Sequence, residues 1–97
     1  MKRDEVLRRI QGHVGDLRRR GVASLSLFGS TVRDEASDRS DVDFLVQFDR
    51  RVGLFEFVEL QQFLEKVLQV GKVDLVVPGA LHEELKDEIL REAVRVA

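Results

Sequence analysis

Three aspartates sit where an apolar run would be expected to exclude them. Asp41 and Asp43, one valine apart, open the run DVDFLVQF, and Asp74 interrupts KVDLVV. Carboxylates embedded in this way are costly unless a cation neutralises them. On a strand, Asp41 and Asp43 point to the same side, about 6 to 7 Å apart at their Cα atoms, so their oxygens can converge on one hard cation. Mg²⁺ takes an oxygen shell, keeps several waters, and is commonly held by one or two carboxylates together with substrate phosphates. The pair therefore points to a phosphate-bearing substrate. If the strand of Asp74 lies beside that of Asp43, the three acids form a cluster able to hold two metals, the arrangement that clamps both oxygens of an in-line phosphoryl displacement. Taken alone, Asp74 reads rather as an edge-strand charge that discourages aggregation, and only beside Asp41 and Asp43 does the metal reading prevail.

Gly29-Ser30, at the end of the run ASLSLF, supplies a second half of such a site. Glycine at a strand end lets backbone approach a ligand, and the N–H groups that follow can cradle phosphate oxygens. An ordinary tight turn with a serine cap has the same sequence.

Four helices and three longer strands would have to position these residues. Val6, Leu7, Ile10, Val14 and Leu17 recur at helical spacing and predict one amphipathic helix from Asp4 to about Arg19, weakened by Gly12 and Gly15 and stopped at Gly21. Arg18, Arg19 and Arg20 read as its solvated, dipole-complementing end. Ala23–Phe28 alternates as a strand, and Ser30 opens a polar segment of about one helical turn reaching Arg33 and Glu35. Asp41–Phe48 is the second strand, with Val42, Phe44 and Val46 on one face and Asp41, Asp43 and Leu45 on the other. Leu54–Leu68 reads as a buried helix whose phenylalanines belong to the core, and Lys72–Val77 as a third strand ended by Pro78-Gly79. Leu85, Ile89, Ala93 and Val96 line one stripe of a closing helix. The expected fold class is α/β (α+β), a small mixed sheet of about three to four strands flanked by helices.

Composition narrows the function. The 97 residues are read as one domain, 1–97, of modest core. Sixteen basic against eighteen acidic residues give a net charge of −2, which argues against extended nucleic-acid binding but not against one nucleotide. The absence of cysteine excludes disulfides and thiolate metal sites. No stretch has the length and apolarity of a membrane span, so a cytoplasmic protein is expected. His13 and His82 are too isolated in pattern to form a ligand pair, and His82 reads as a helix-start surface residue.

Gly29-Ser30, ten residues, then Asp41-Val42-Asp43 resembles the G-S-x10-D-x-D signature of the DNA polymerase β-like nucleotidyltransferase superfamily, in particular its minimal (MNT-type) members. The resemblance spans essentially the whole chain. Arg33 and Glu35 match an Arg-x-Glu common after the Gly-Ser, whereas Asp34 replaces a frequent glycine. It implies the polymerase β-like fold, with Gly29 and Ser30 holding the β- and γ-phosphates of ATP and Asp41 and Asp43 binding Mg²⁺, two ions in all. Asp74 would help hold the catalytic metal and orient or deprotonate an acceptor hydroxyl. Arg33 reads either as a phosphate ligand or as a solvated loop arginine.

The implied activity is transfer of AMP from ATP to an acceptor hydroxyl. The family implies a HEPN-domain toxin as partner, modified on a tyrosine by the present protein acting as antitoxin. The competing expectation is a non-catalytic, nucleotide-binding interaction module that neutralises its partner by complex formation alone. The three carboxylates favour chemistry.

Overall fold

Leu25 and Leu27 in VASLSLF and Val42, Phe44 and Val46 in VDFLVQF give two strands one fully apolar face each, and these faces found the core. The computed structural model describes residues 2–29, 32 and 41–97. Its elements run α1 (Arg3–Gln11), α2 (Val14–Arg19), β1 (Val22–Phe28), β2 (Val42–Phe48), α3 (Leu54–Leu68), β3 (Val73–Val76), a 3₁₀ turn (Pro78–Ala80), α4 (Glu83–Glu92) and β4 (Val94–Arg95). The sheet order is β3-β2-β1-β4. β1 is antiparallel to both neighbours, while β2 and β3 are parallel, so α3 is the crossover that a parallel pair requires. This is the expected small mixed sheet with flanking helices.

The core lies against one sheet face. Val6, Ile10, Leu17, Leu60, Leu64 and Leu68 come from the helices and meet Leu25, Leu27, Val42, Phe44, Val46 and Val73. A bulge between Val22 and Ser24 lets Val22 join Leu25 on that face despite the three-residue spacing.

Three expectations need correction. The first helix is two: Gly12 caps α1 and His13 adopts φ −124°, ψ 16°, outside the helical region, before α2 begins. Glycine's low helix propensity makes that the weakest point of the run, and the break leaves both Ile10 and Leu17 fully buried. The arginines that follow are tied into the fold: Arg18 donates to the Val22 and Ala23 carbonyls, Arg19 pairs with Asp16, and Arg20 lies over the Phe63 ring. Helix α3 is only half buried. Leu60, Leu64 and Leu68 face the core, but Leu54 and Phe55 are 78% and 84% exposed, so Phe55 is no core residue.

The closing helix ends at Glu92 and buries no residue. Ala93 turns extended, Val94–Arg95 pairs with β1 as a fourth strand, and Val96 enters the core. Spacing alone had placed Ala93 and Val96 on the helix stripe. The strand wins because Val96 N–H donates to Leu25 O at 2.8 Å and Leu25 N–H donates to Ala97 O at 3.2 Å, satisfying the free edge of β1.

Two side chains of α3 hold the start of β3. Gln61 Nε2 donates to Val73 O at 2.7 Å, and Glu65 Oε2 accepts from Val73 N–H at 2.9 Å. Val73 points these groups away from β2, so α3 caps the outer edge of β3 at the residue before Asp74. Arg9 Nη1 in turn donates to Leu68 O at 2.7 Å and closes the α3 C-terminus. Among the described residues, no helix is long and apolar enough to cross a membrane.

Leu64→Ala should destabilise the protein by about 2 to 5 kcal/mol, whereas Phe55→Ala should stay within about 0.5 kcal/mol of the parent. Urea denaturation of both variants checks this. A large loss for Phe55→Ala would refute the exposure of the first turn of α3.

Candidate active site at the head of the parallel strand pair

The chain reaches the site through β1, whose last residue, Phe28, pairs with Asp43. Gly29 follows with φ +80°, a conformation that side-chain-bearing residues rarely adopt. A Cβ at this position would collide with Asp43 Oδ2. Glycine is thus needed twice, for the backbone turn and for the space the Asp43 carboxylate fills. Gly29 O accepts from Val32 N–H at 3.2 Å, which begins the turn beyond β1.

Strand register does the rest. β2 and β3 align Val42 with Val73, Asp43 with Asp74 and Phe44 with Leu75. The apolar partners face the core while Asp43 and Asp74 share the opposite face, side by side, where a protonated Asp43 hydrogen-bonds to Asp74. Asp41 precedes β2 by one residue and follows the same alternation. The ammonium of Lys72 spans the remaining gap, with Nζ 3.6 Å from Asp41 Oδ2 and 3.5 Å from Asp74 Oδ1. The Asp41 and Asp74 side chains are each 41% exposed, so the cluster opens to solvent.

Crowding leaves an electrostatic signature. The pKa of Asp43 is pushed up to about 6, first by burial, then by its hydrogen bond to Asp74 and the charges of Asp74 and Asp41, with Lys72 opposing. Lys72 is pushed above its ordinary value by Asp74 and Asp41. Among the described residues, no three His, Cys, Asp or Glu side chains converge as a ready metal cluster. Asp41 and Asp74 meet at Lys72 instead. The donor set nevertheless suits Mg²⁺. All donors are carboxylate oxygens, Asp43 and Asp74 are in register, Asp41 and Asp74 open to solvent, and these two already attract the Lys72 ammonium.

The structure therefore brings together Gly29, Asp41, Asp43 and Asp74. Ser30 and Arg33, together with the rest of the Arg-x-Glu segment, lie outside the described residues. The histidines are apart from the site: His13 packs edge-on against Phe63 beside Asp16, and exposed His82 precedes α4. Lys72 was missed by sequence reasoning. Its signal was the spacing Lys72-Val73-Asp74, which places a cation on the same strand face as the acid, one step nearer to Asp41.

Comparison with known proteins shows the family of the chain. A family model described as the nucleotidyltransferase domain matches residues 7–96. The protein adenylyltransferase MntA of Thermococcus cleftensis is 40% identical over 94 residues, which is 96% of this chain and 94% of that protein. A solved structure assigned as a minimal nucleotidyltransferase has a TM-score of 0.82 at 33% identity and covers 97% of this chain and 95% of its own. The complex of a tri-AMPylated Shewanella oneidensis HEPN toxin with MNT antitoxin shares the fold, with a TM-score of 0.64 at 21% identity over 92% of this chain and 69% of that one.

Two outcomes follow from the geometry. Gly29→Ala should cost about 1 to 3 kcal/mol through the strained φ and the collision, and part of that loss should return in an Asp43→Ala background. A thermodynamic cycle of unfolding measurements checks it, and strict additivity would refute the contact. Asp43 binds its proton more tightly folded than unfolded, so stability is lost as pH rises from its ordinary value of 3.8 to about 6. In metal-free buffer at pH 7, Asp43→Asn should therefore be more stable than the parent by about 1 kcal/mol, a figure discounted for a half-exposed carboxylate. The gain should vanish below pH 4. Parallel pH profiles for the two proteins would contradict the assignment.

Proposed function

Because the chain belongs to the nucleotidyltransferase domain family, we propose that it transfers AMP from ATP to an acceptor hydroxyl, and that this acceptor is a tyrosine of a cognate HEPN-type toxin. One observation carries the reading most: Asp43 and Asp74 in register on parallel strands, with Asp41 two residues before, beside a turn at Gly29 that only glycine fits. Its support beyond geometry is 40% identity, over nearly the whole length of both chains, to a protein adenylyltransferase. The HEPN partner is supported by the shared fold with the antitoxin of the AMPylated toxin complex. Residues 1–97 are read as the single domain that performs the reaction.

The chain's own residues have distinct roles in this scheme. The Gly29 turn and the N–H groups after it, with Ser30, hold the β- and γ-phosphates, and Arg33 neutralises phosphate charge. Asp41, Asp43 and Asp74 would hold Mg²⁺, which when bound neutralises the triphosphate and the charge that develops during transfer. Asp43 must give up its proton to serve as a ligand, so occupancy is favoured above about pH 6. Asp74 orients the acceptor hydroxyl and takes its proton. The acceptor oxygen then bonds to the α-phosphorus, the bond from that phosphorus to the bridging oxygen of the β-phosphate breaks, and pyrophosphate leaves. Alignment and charge neutralisation account for catalysis, with no covalent intermediate on the protein.

With Mg²⁺ and the HEPN-domain protein of the same genome, label from α-³²P ATP should appear on the partner, and label from γ-³²P ATP should not. Asp41→Asn should lower transfer by about 100-fold or more with the fold intact, and Ser30→Ala by less, because backbone N–H groups remain. Label from the γ-position would mean a kinase. No transfer from either label, alongside tight partner binding, would instead support neutralisation by complex formation.

A further inference from the structure

Lys72 has no part in the scheme above, yet it contacts two of the three carboxylates. Its ammonium lies between acids from two strands, 3.6 Å from Asp41 Oδ2 and 3.5 Å from Asp74 Oδ1. Three constraints make the placement a product of the fold. Lys72 shares a strand face with Asp74 through the i, i+2 alternation. Its carbonyl accepts from Val42 N–H at 3.4 Å, which fixes it opposite the start of β2. The next residue, Val73, is clamped on both backbone groups by Gln61 and Glu65 of α3. Only the four-carbon stem is free, and with 59% of the side chain exposed it can swing outward without disturbing the core.

We propose that Lys72 is an internal competitor of the divalent cation: its ammonium neutralises Asp41 and Asp74 in the metal-free protein and must leave them when metal is loaded. The inference rests on the reading of these aspartates as metal ligands. Its physical basis is that one monovalent group and one divalent ion cannot both occupy the space between the same two oxygens, and the free energy of the two ammonium contacts is subtracted from metal binding. Each contact is an exposed ion pair, so the effect is modest; the two together should weaken metal binding about threefold to tenfold. The lysine thereby raises the metal concentration at which the site fills and keeps like charges at bay when it is empty.

The test uses metal alone, without nucleotide or partner, and does not read activity. Mg²⁺ and Mn²⁺ are titrated calorimetrically into the parent, Lys72→Met, Lys72→Gln and Lys72→Arg, with circular dichroism as the check on folding. The two neutral variants should bind each ion about threefold to tenfold more tightly than the parent, and Lys72→Arg, which keeps the charge, should stay within about twofold. The advantage of the neutral variants should shrink as salt is added. A merely structural ion pair would alter the metal-free melting temperature and leave metal affinity unchanged. Equal or weaker affinity in both neutral variants overturns the proposal while leaving the metal site standing. If neither the parent nor any variant binds metal, the metal-site reading itself fails and this inference with it.

Discussion

Three like charges must be held on one face of a sheet, and the parallel register of β2 on β3 is the constraint that holds them. Burial of the Asp43 carboxylate and the neighbouring charges of Asp74 and Asp41 oppose that register, and all of them push the Asp43 pKa up. They are offset on the other face, where Val42, Phe44 and Val73 are buried at 2%, 0% and 0% exposure. A slip of one residue would exchange the two faces, exposing the valines and burying the acids, so the apolar face enforces the geometry of the polar one. Helix α3 adds the second restraint by satisfying both backbone groups of Val73. The site is thus unfavourable locally and permitted by the core beneath it, as expected where function and stability conflict.

The sequence made the acid pair legible because a strand alternates with a period of two, and Asp41-Val42-Asp43 declares both faces within three residues. Asp74 was legible for the same reason. The sheet register that unites them was not, because nothing local in KVDLVV says which strand it lies beside. The expected sheet size and flanking helices agree with the fold, but β4 escaped notice. At two residues it is too short to show alternation, and Ala93 and Val96 mimicked a helical stripe. The break at Gly12-His13 was visible only as weakened propensity, since burial of Ile10 and Leu17 on either side kept the helical spacing intact.

Lys72 escaped for a different reason. Its role depends on a contact across strands, and a lysine at the mouth of a strand is ordinary in isolation. Phe55 failed in the opposite direction. A phenylalanine within an apolar helix suggests core, yet Leu54 and Phe55 in the first turn of α3 are exposed, whereas Phe57, two residues on, packs against the core and meets the Phe48 ring with centroids 6.4 Å apart. Spacing identified the element and tertiary context decided which turn of it is covered.

The crossover through α3 also makes the acid cluster a non-local feature of the chain. β1 and β2 are antiparallel neighbours, whereas β2 and β3 are joined through fifteen residues of helix. Asp43 and Asp74 are therefore brought together by a contact between residues 31 positions apart in sequence. A nascent or partly unfolded chain carries all three acids but no converged set of them. The convergence of the acids thus belongs to the finished fold, in which the contacts able to withstand their repulsion are also made.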